Sequence, residues 1–254
     1  MRSMLLLVFN TFTFFASIYL NYLYGSGAVG RKSVGEVSRQ FETLITPAGY
    51  AFSIWGLIYL LLFGFLCYQW ITYFKGHPQK SLTPTFIWFS LSNILNGLWI
   101  IVWTQEMIDV SVLVIIGLLV TLIFWAKSLQ VGSKNSQFYV FLGLPICVYM
   151  GWIIVASVVN ASVWFYQNGW LMQQEVLMTV LTLVIATFVF LGLVIKRHLL
   201  VPSWVGIWAF VAIIVKLGEK QMIVSQTLAF LVFILLISTL LALKNKKYDS
   251  KYFS

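Results

Sequence analysis

Long, unbroken apolar runs separated by short polar connections dominate this chain, with little of the one-sided striping of a helix on a soluble domain. An apolar run of about 18 residues or more with few charges reads as a membrane span. The runs do not alternate polar with apolar residues, as the strands of a membrane barrel do. Backbone amides in hydrocarbon must be satisfied within their own segment, so the runs predict α-helices. Eight are predicted: Met4–Tyr24, Tyr50–Phe74, Thr85–Thr104, Val110–Ala126, Phe138–Val159, Val176–Ile195, Val201–Val215 and Met222–Leu243. The seventh is the shortest. The first follows Arg2 and precedes small residues near Gly25–Ala28, features a cleaved signal shares. Its apolar segment is long for a signal, so it reads as a span. The expected fold is therefore all-α, a polytopic membrane helical bundle.

Composition sharpens this picture. The chain is 61% hydrophobic and 9% charged, where a soluble domain carries about a quarter charged residues. Its charges sit in the connections. With eight spans, one face holds both termini and eleven of the 16 Lys and Arg, but only one of the 7 acidic residues, Asp249. That asymmetry predicts cytoplasmic termini and assigns the net charge of +9 to topology. Basic residues scattered over short loops make no nucleic-acid face. The basic tail Lys244–Lys251 reads as a stop-transfer flank, with anionic lipid headgroups as its alternative contact.

No Asp, Glu, Lys, Arg or His falls deep in a predicted span, which argues against ion-coupled transport and proton pumping. His77 and His198 lie in loops, so no axial histidine is available to a haem within the bilayer. There is no phosphate-binding glycine loop, no Ser/His/Asp arrangement and no clustered metal ligands. No enzyme activity, metal or cofactor is expected. Cys67 and Cys147 fall inside apolar spans and are expected to pack as small apolar residues.

Aromatic and amide side chains carry the remaining chemistry: 11 Trp, 12 Tyr and 21 Phe. Tyr22, Tyr24, Tyr68, Trp70, Tyr73, Trp88, Trp125 and Trp170 fit interfacial belts. Others recur at helical spacing. In the second span Phe52, Trp55 and Tyr59 share a face, after a bend expected at Pro47 and Gly49. In the third, Asn93, Asn96, Trp99 and Trp103 repeat the device. In the fifth, Tyr149, Trp152, Ala156, Asn160 and Trp164 form one stripe, with small Ala156 leaving a slot between Trp152 and Asn160. Amides deep in a bilayer need partners, so Asn96 and Asn160 should face other helices. Two readings fit such stripes: helix–helix packing and the wall of a pocket.

These residues resemble the TspO/MBR family, the translocator proteins or tryptophan-rich sensory proteins. Pro47, Tyr50, Phe52, Trp55 and Tyr59 match its second helix; Asn96 and Trp99 match its third; Pro145, Tyr149, Trp152, Ala156, Asn160 and Trp164 match its fifth. The resemblance covers about residues 1–170. It implies a five-helix bundle there, with a three-helix extension over 171–254. It further implies an aromatic pocket opening toward the first loop and binding porphyrins or other flat apolar ligands, in a sensory or ligand-trafficking role. The implied ligand residues are Phe52, Trp55, Tyr59, Asn96, Trp99, Tyr149, Trp152, Ala156 and Asn160. Arg31, Lys32 and Arg39 are candidates to meet a ligand carboxylate. The implied setting is a bacterial inner membrane, with a homodimer as a candidate assembly. Departures occur. Ile100 and Ile101 stand where the family has two prolines, and Gln167-Asn168-Gly169-Trp170 lacks the basic residue of a cholesterol-recognition pattern. The competing classes are a transporter not coupled to ions through intramembrane charges, and a structural partner of another membrane complex.

Overall fold

A computed structural model describes residues 2–28, 30–131, 139–170 and 174–251. The predicted start of the fifth span at Phe138, and Lys134, lie outside the described residues. Among the described residues every regular element is helical. In order they are α1 (Arg2–Leu20), a π turn (Asn21–Gly25), α2 (Val34–Gln40), a 3-10 turn (Gly49–Ser53) and α3 (Ile54–Phe74). A 3-10 turn (Pro78–Lys80), α4 (Leu82–Thr85), α5 (Trp88–Thr104) and α6 (Ile108–Ser128) follow. After a π turn (Tyr139–Gly143) come α7 (Leu144–Gln167), α8 (Glu175–Arg197), α9 (Val201–Leu217) and α10 (Met222–Lys251). Among the described residues six helical segments are long and apolar enough to cross a membrane: 3–25, 49–74, 108–128, 141–167, 175–197 and 222–244. α5 and α9, at 17 residues each, sit at the lower limit of spanning length.

The predicted third span began at Thr85, and here the structure corrects it. Phe86 adopts φ 46°, a left-handed conformation that breaks the helix, so Thr85 ends α4 and α5 starts at Trp88. The bend expected at Pro47 and Gly49 is the 3-10 turn that leads into α3.

Five helices close a ring: α1 packs on α5, α5 on α6, α6 on α7, and α3 joins α7 back to α1. α9 packs on the outer side of α7 and on the 3-10 turn before α3, while α10 bridges α9 and α8. α7 is the hub, with 78% of its apolar window buried. Close approach of α7 and α9 depends on Gly151, where a Cβ would stand 2.9 Å from the Pro202 backbone. The buried apolar cluster runs continuously from the ring into α8, α9 and α10.

Apolar burial does not drive helix association in lipid, so packing and polar contacts hold the ring. Gln69 Oε1 accepts from Asn10 Nδ2 at 3.1 Å, and Ser90 Oγ donates to Asn10 Oδ1, tying α3, α1 and α5 together. Asn96 Oδ1 accepts from Ser17 Oγ (3.0 Å), Asn21 Nδ2 (2.8 Å) and the Tyr59 hydroxyl (3.3 Å). Trp125 is another correction. It is fully buried against Phe65 and Phe89 and does not belong to an interfacial belt. It lies nearly a full turn inside the end of α6, and the two rings fill the space that would expose it. Cys147 is buried and Cys67 half-buried.

Candidate functional site

The connection between α1 and α3 forms a cap over one end of the ring, and local chemistry fixes its shape. Ser33 and Glu36 make a capping box: Ser33 Oγ accepts from the Glu36 amide, and Glu36 Oε2 accepts from the Ser33 amide at 2.7 Å. These bonds to Ser33 hold the Glu36 carboxyl below its ordinary value. Trp103 of α5 donates through Nε1 to the Val34 carbonyl, seating α2 on the ring. Lys32 pairs with Glu106 at 2.7 Å and also bonds Gln40. That contact to Lys32 is the main reason the Glu106 carboxyl lies below its ordinary value. Thr46 Oγ1 accepts from the Thr43 amide at 2.9 Å and turns the chain into Pro47. Ala48 N–H then donates to the Ala212 carbonyl of α9 at 3.1 Å.

Beneath this cap lies a cavity of about 560 Å³. Its floor and inner wall are Phe52, Trp55 and Tyr59 of the α3 segment, with Ile100 of α5 and Asn21 and Gly25 of the π turn. The mouth is made by α2 and the following loop, including Gly35, Ser38, Arg39, Glu42, Thr46 and Pro47, and by Lys216 of α9. π turns inside α-helices often mark functional sites, and this one borders the cavity. Trp55 and Tyr59 stack, with ring centroids 5.6 Å apart and planes inclined by 21°.

A second, much smaller space of about 30 Å³ adjoins this cavity, sharing Phe52, Val34, Ser38 and Pro47. Trp99, Trp103, Trp152, Val155, Ala156 and Asn160 line it, together with Val34, Ser38 and Pro47. The nine implied ligand residues thus divide. Phe52, Trp55 and Tyr59 line the large cavity; Phe52, Trp99, Trp152, Ala156 and Asn160 line the small one. Tyr149 is buried against Trp55 at 6.0 Å, and Asn96 is buried as an acceptor for Tyr59. The expected residues thus stand around two adjoining spaces, with Phe52 packed edge-on against Trp152 at 5.8 Å between them. Trp55 and Trp152 do approach each other, at 6.4 Å and 84°, but they touch directly and leave no room for a plane between them.

Asn160 is committed to its neighbours. Its Oδ1 accepts from Trp99 Nε1 at 3.0 Å and its Nδ2 donates to Ser111 Oγ at 2.9 Å, linking α7 to α5 and α6. Both Asn96 and Asn160 face other helices, with about 1% of their surface exposed. Trp152 Nε1 is buried and has no acceptor among the described residues. Trp164, last of the α7 stripe, leaves both spaces and donates to Asp109. Among the loop cations, Lys32 is bound to Glu106, Arg39 reaches the cavity, and Arg31 is exposed on the loop away from its lining.

Sequence reasoning missed Asn21, Gly25, Ser38, Glu42, Ile100 and Lys216. The Ser33-x-x-Glu36 pattern is a capping-box signature and could have placed α2. Nothing local to Lys216 points to Glu42, which it meets at 3.1 Å from the far end of the chain. Among the described residues no three His, Cys, Asp or Glu side chains gather to hold a metal ion.

Comparison with known proteins agrees with the aromatic pattern. A family model described as TSPO-like protein matches residues 7–241, so the match continues through α8 and α9 and well into α10. No curated protein and no solved structure matches the chain. With a match over well more than half its length and an all-helical membrane bundle to carry it, the chain belongs to the TSPO-like protein family.

Proposed function

We propose that the large cavity binds a flat, mostly apolar ligand such as a porphyrin, in a sensory or ligand-trafficking role. The observation that carries this reading is the stacked Trp55–Tyr59 pair set into a cavity of about 560 Å³, with Phe52 beside it and an opening at the first loop. A planar π system finds its best partners on aromatic walls, and a few polar groups at the rim orient it. The 30 Å³ space beside Ala156 is room for a water molecule or two, not for such a ligand. Phe52, Trp55 and Tyr59 are therefore the ligand's contacts. Trp99, Tyr149, Trp152 and Asn160 brace that wall from behind, and Asn96 holds the Tyr59 hydroxyl.

The same proposal includes eight membrane crossings in a bacterial inner membrane, with both termini cytoplasmic and the cavity opening on the opposite face. Three contacts support that arrangement. Lys32–Glu106, Trp164–Asp109 and Lys216–Glu42 gather the first loop, the α5–α6 loop and the ends of α7 and α9 at one end of the bundle. Alternating crossings put those connections on one side.

Titrating purified protein with a porphyrin, followed by quenching of tryptophan emission, tests the binding reading. Saturable quenching that Trp55→Leu weakens supports it. No saturable binding, or binding that Trp55→Leu leaves unchanged, overturns it. Binding without substrate uptake into vesicles would separate this role from a permease.

A further inference from the structure

We infer that Lys216 of α9 is a specificity-determining residue that selects ligands bearing an acidic group, and that Glu42 is its resident competitor. The inference rests on the cavity reading above and extends it to the charge of the ligand.

The cavity is apolar and aromatic at its base, but its mouth is charged. Arg39, Glu42 and Lys216 all line it. Lys216 Nζ lies 3.1 Å from Glu42 Oε1. The lysine side chain is 21% exposed and the glutamate 53%, so the cation is held inward and its partner faces outward. Arg39 makes no close ion pair among the described residues, though its charge acts on Glu36 three residues earlier on α2. The mouth's own lining thus carries two cations and one anion, with Glu36 outside it, and that local balance favours an acidic group beside Lys216. The Lys216 ammonium has three donors and Glu42 occupies one direction. A carboxylate entering with the apolar body of a ligand would replace an exposed glutamate oxygen by a fixed one.

Backbone contacts determine where the lysine sits. Ala48 N–H donates to Ala212 O, Trp208 Nε1 donates to Ala51 O at 3.4 Å, and Tyr50 packs edge-on against Trp208 at 5.2 Å. These contacts pin α9 to the segment that forms the cavity's lip, one to two turns before Lys216. The helices beyond the first five thereby complete the site by supplying one of the two cations at its rim.

The charge pattern gives two variants with opposite effects. Glu42→Gln removes the competitor, and Lys216→Gln removes the selecting cation. The test uses full-length protein in detergent and two probes with the same ring: a dicarboxylate porphyrin and its dimethyl ester. Lys216→Gln should weaken the dicarboxylate by about tenfold, the worth of one charged hydrogen bond in a partly dry site. Glu42→Gln should tighten it by about two- to fivefold, the range of an exposed ion pair. The dimethyl ester should bind all three proteins alike. Salt should weaken binding of the dicarboxylate and not that of the ester. Equal losses for both probes would make Lys216 a structural residue and overturn the inference, as would unchanged affinity of the dicarboxylate in both variants. Failure of both probes to bind the unaltered protein would overturn the cavity reading itself, and the selection with it. Binding of both probes without discrimination overturns only the selection.

Discussion

Replacing Trp55 by leucine separates the ligand wall from the core that supports it. The indole stacks on Tyr59 at 5.6 Å and lies 6.4 Å from Trp99, 6.0 Å from Tyr149 and 6.4 Å from Trp152. Four aromatic rings thus surround the indole, which also lines the cavity. Aromatic pairs are worth about 0.5–1.5 kcal/mol each beyond burial, and such contacts are not additive. Leucine keeps an apolar body in place, so a folding loss of about 2–3 kcal/mol is expected. The binding loss has a different origin. Stacking a flat ring on an aromatic side chain contributes about 1–3 kcal/mol, which corresponds to about five- to 150-fold in affinity. Trp152→Leu should show the reverse balance. Trp152 is about 2% exposed and stands behind Phe52, so its loss should reduce stability at least as much while changing affinity about threefold or less, since it makes no direct stack. The assay is porphyrin titration of both variants, paired with thermal unfolding followed by circular dichroism. If the two variants lose affinity equally, or Trp152→Leu loses more, then the ligand enters the slot beside Ala156 and the two-chamber description is wrong.

Asn160→Leu leaves Trp99 Nε1 without its acceptor and should lower stability in detergent by about 1–2 kcal/mol with porphyrin affinity nearly unchanged; a large affinity loss would make Asn160 a ligand contact. Gly151→Val should push α9 off α7, since even a Cβ there meets the Pro202 backbone at 2.9 Å, and the cost should be about 1–3 kcal/mol. Cysteines replacing Ala48 and Ala212 should cross-link in the unaltered protein and fail to do so in that variant. The cap over the cavity should loosen in acid. Glu36 and Glu106 have carboxyls held below their ordinary value of 4.5, so their contribution is complete above that pH and is lost as pH falls through the lowered values. Hydrogen exchange of the α2 amides should therefore be flat from neutral pH to about 4.5, once corrected for intrinsic rates, and rise only below it; a rise between pH 7 and 5 would contradict this. A reporter fused at the C-terminus should be active on the cytoplasmic side, and a periplasmic signal would mean an odd number of crossings.

Length and polarity settled the all-helical membrane class in advance, though of the eight spans they predict six reach spanning length among the described residues. Apolar runs in a lipid solvent have no alternative to helix, so the segments could be placed from the residues alone. Most boundaries fall close to the structural ones. Three ends differ: one left-handed residue, Phe86, delays α5 to Trp88, while α7 continues past Val159 to Gln167 and α10 past Leu243 to Lys251, because a helix does not stop where its apolar run does. Periodicity likewise put Phe52, Trp55 and Tyr59 on one face, because a helix fixes which side chains are neighbours within it. What periodicity does not hold is the distance between faces. Phe52 and Trp152 meet edge-on at 5.8 Å beside Ala156, and that depends on how α3 and α7 lean together through the whole ring. Trp125 shows the same limit: its place near the end of an apolar run suggests the interface, yet Phe65 and Phe89 of two other helices bury it. The rim is decided at still longer range. Lys216 and Glu42 meet only because Gly151 lets α9 lie against α7 and Ala48 bonds to Ala212. A lysine at the end of an apolar helix looks the same in sequence whether it snorkels to lipid headgroups or guards a cavity, and only the packing of helices distant in the chain distinguishes the two.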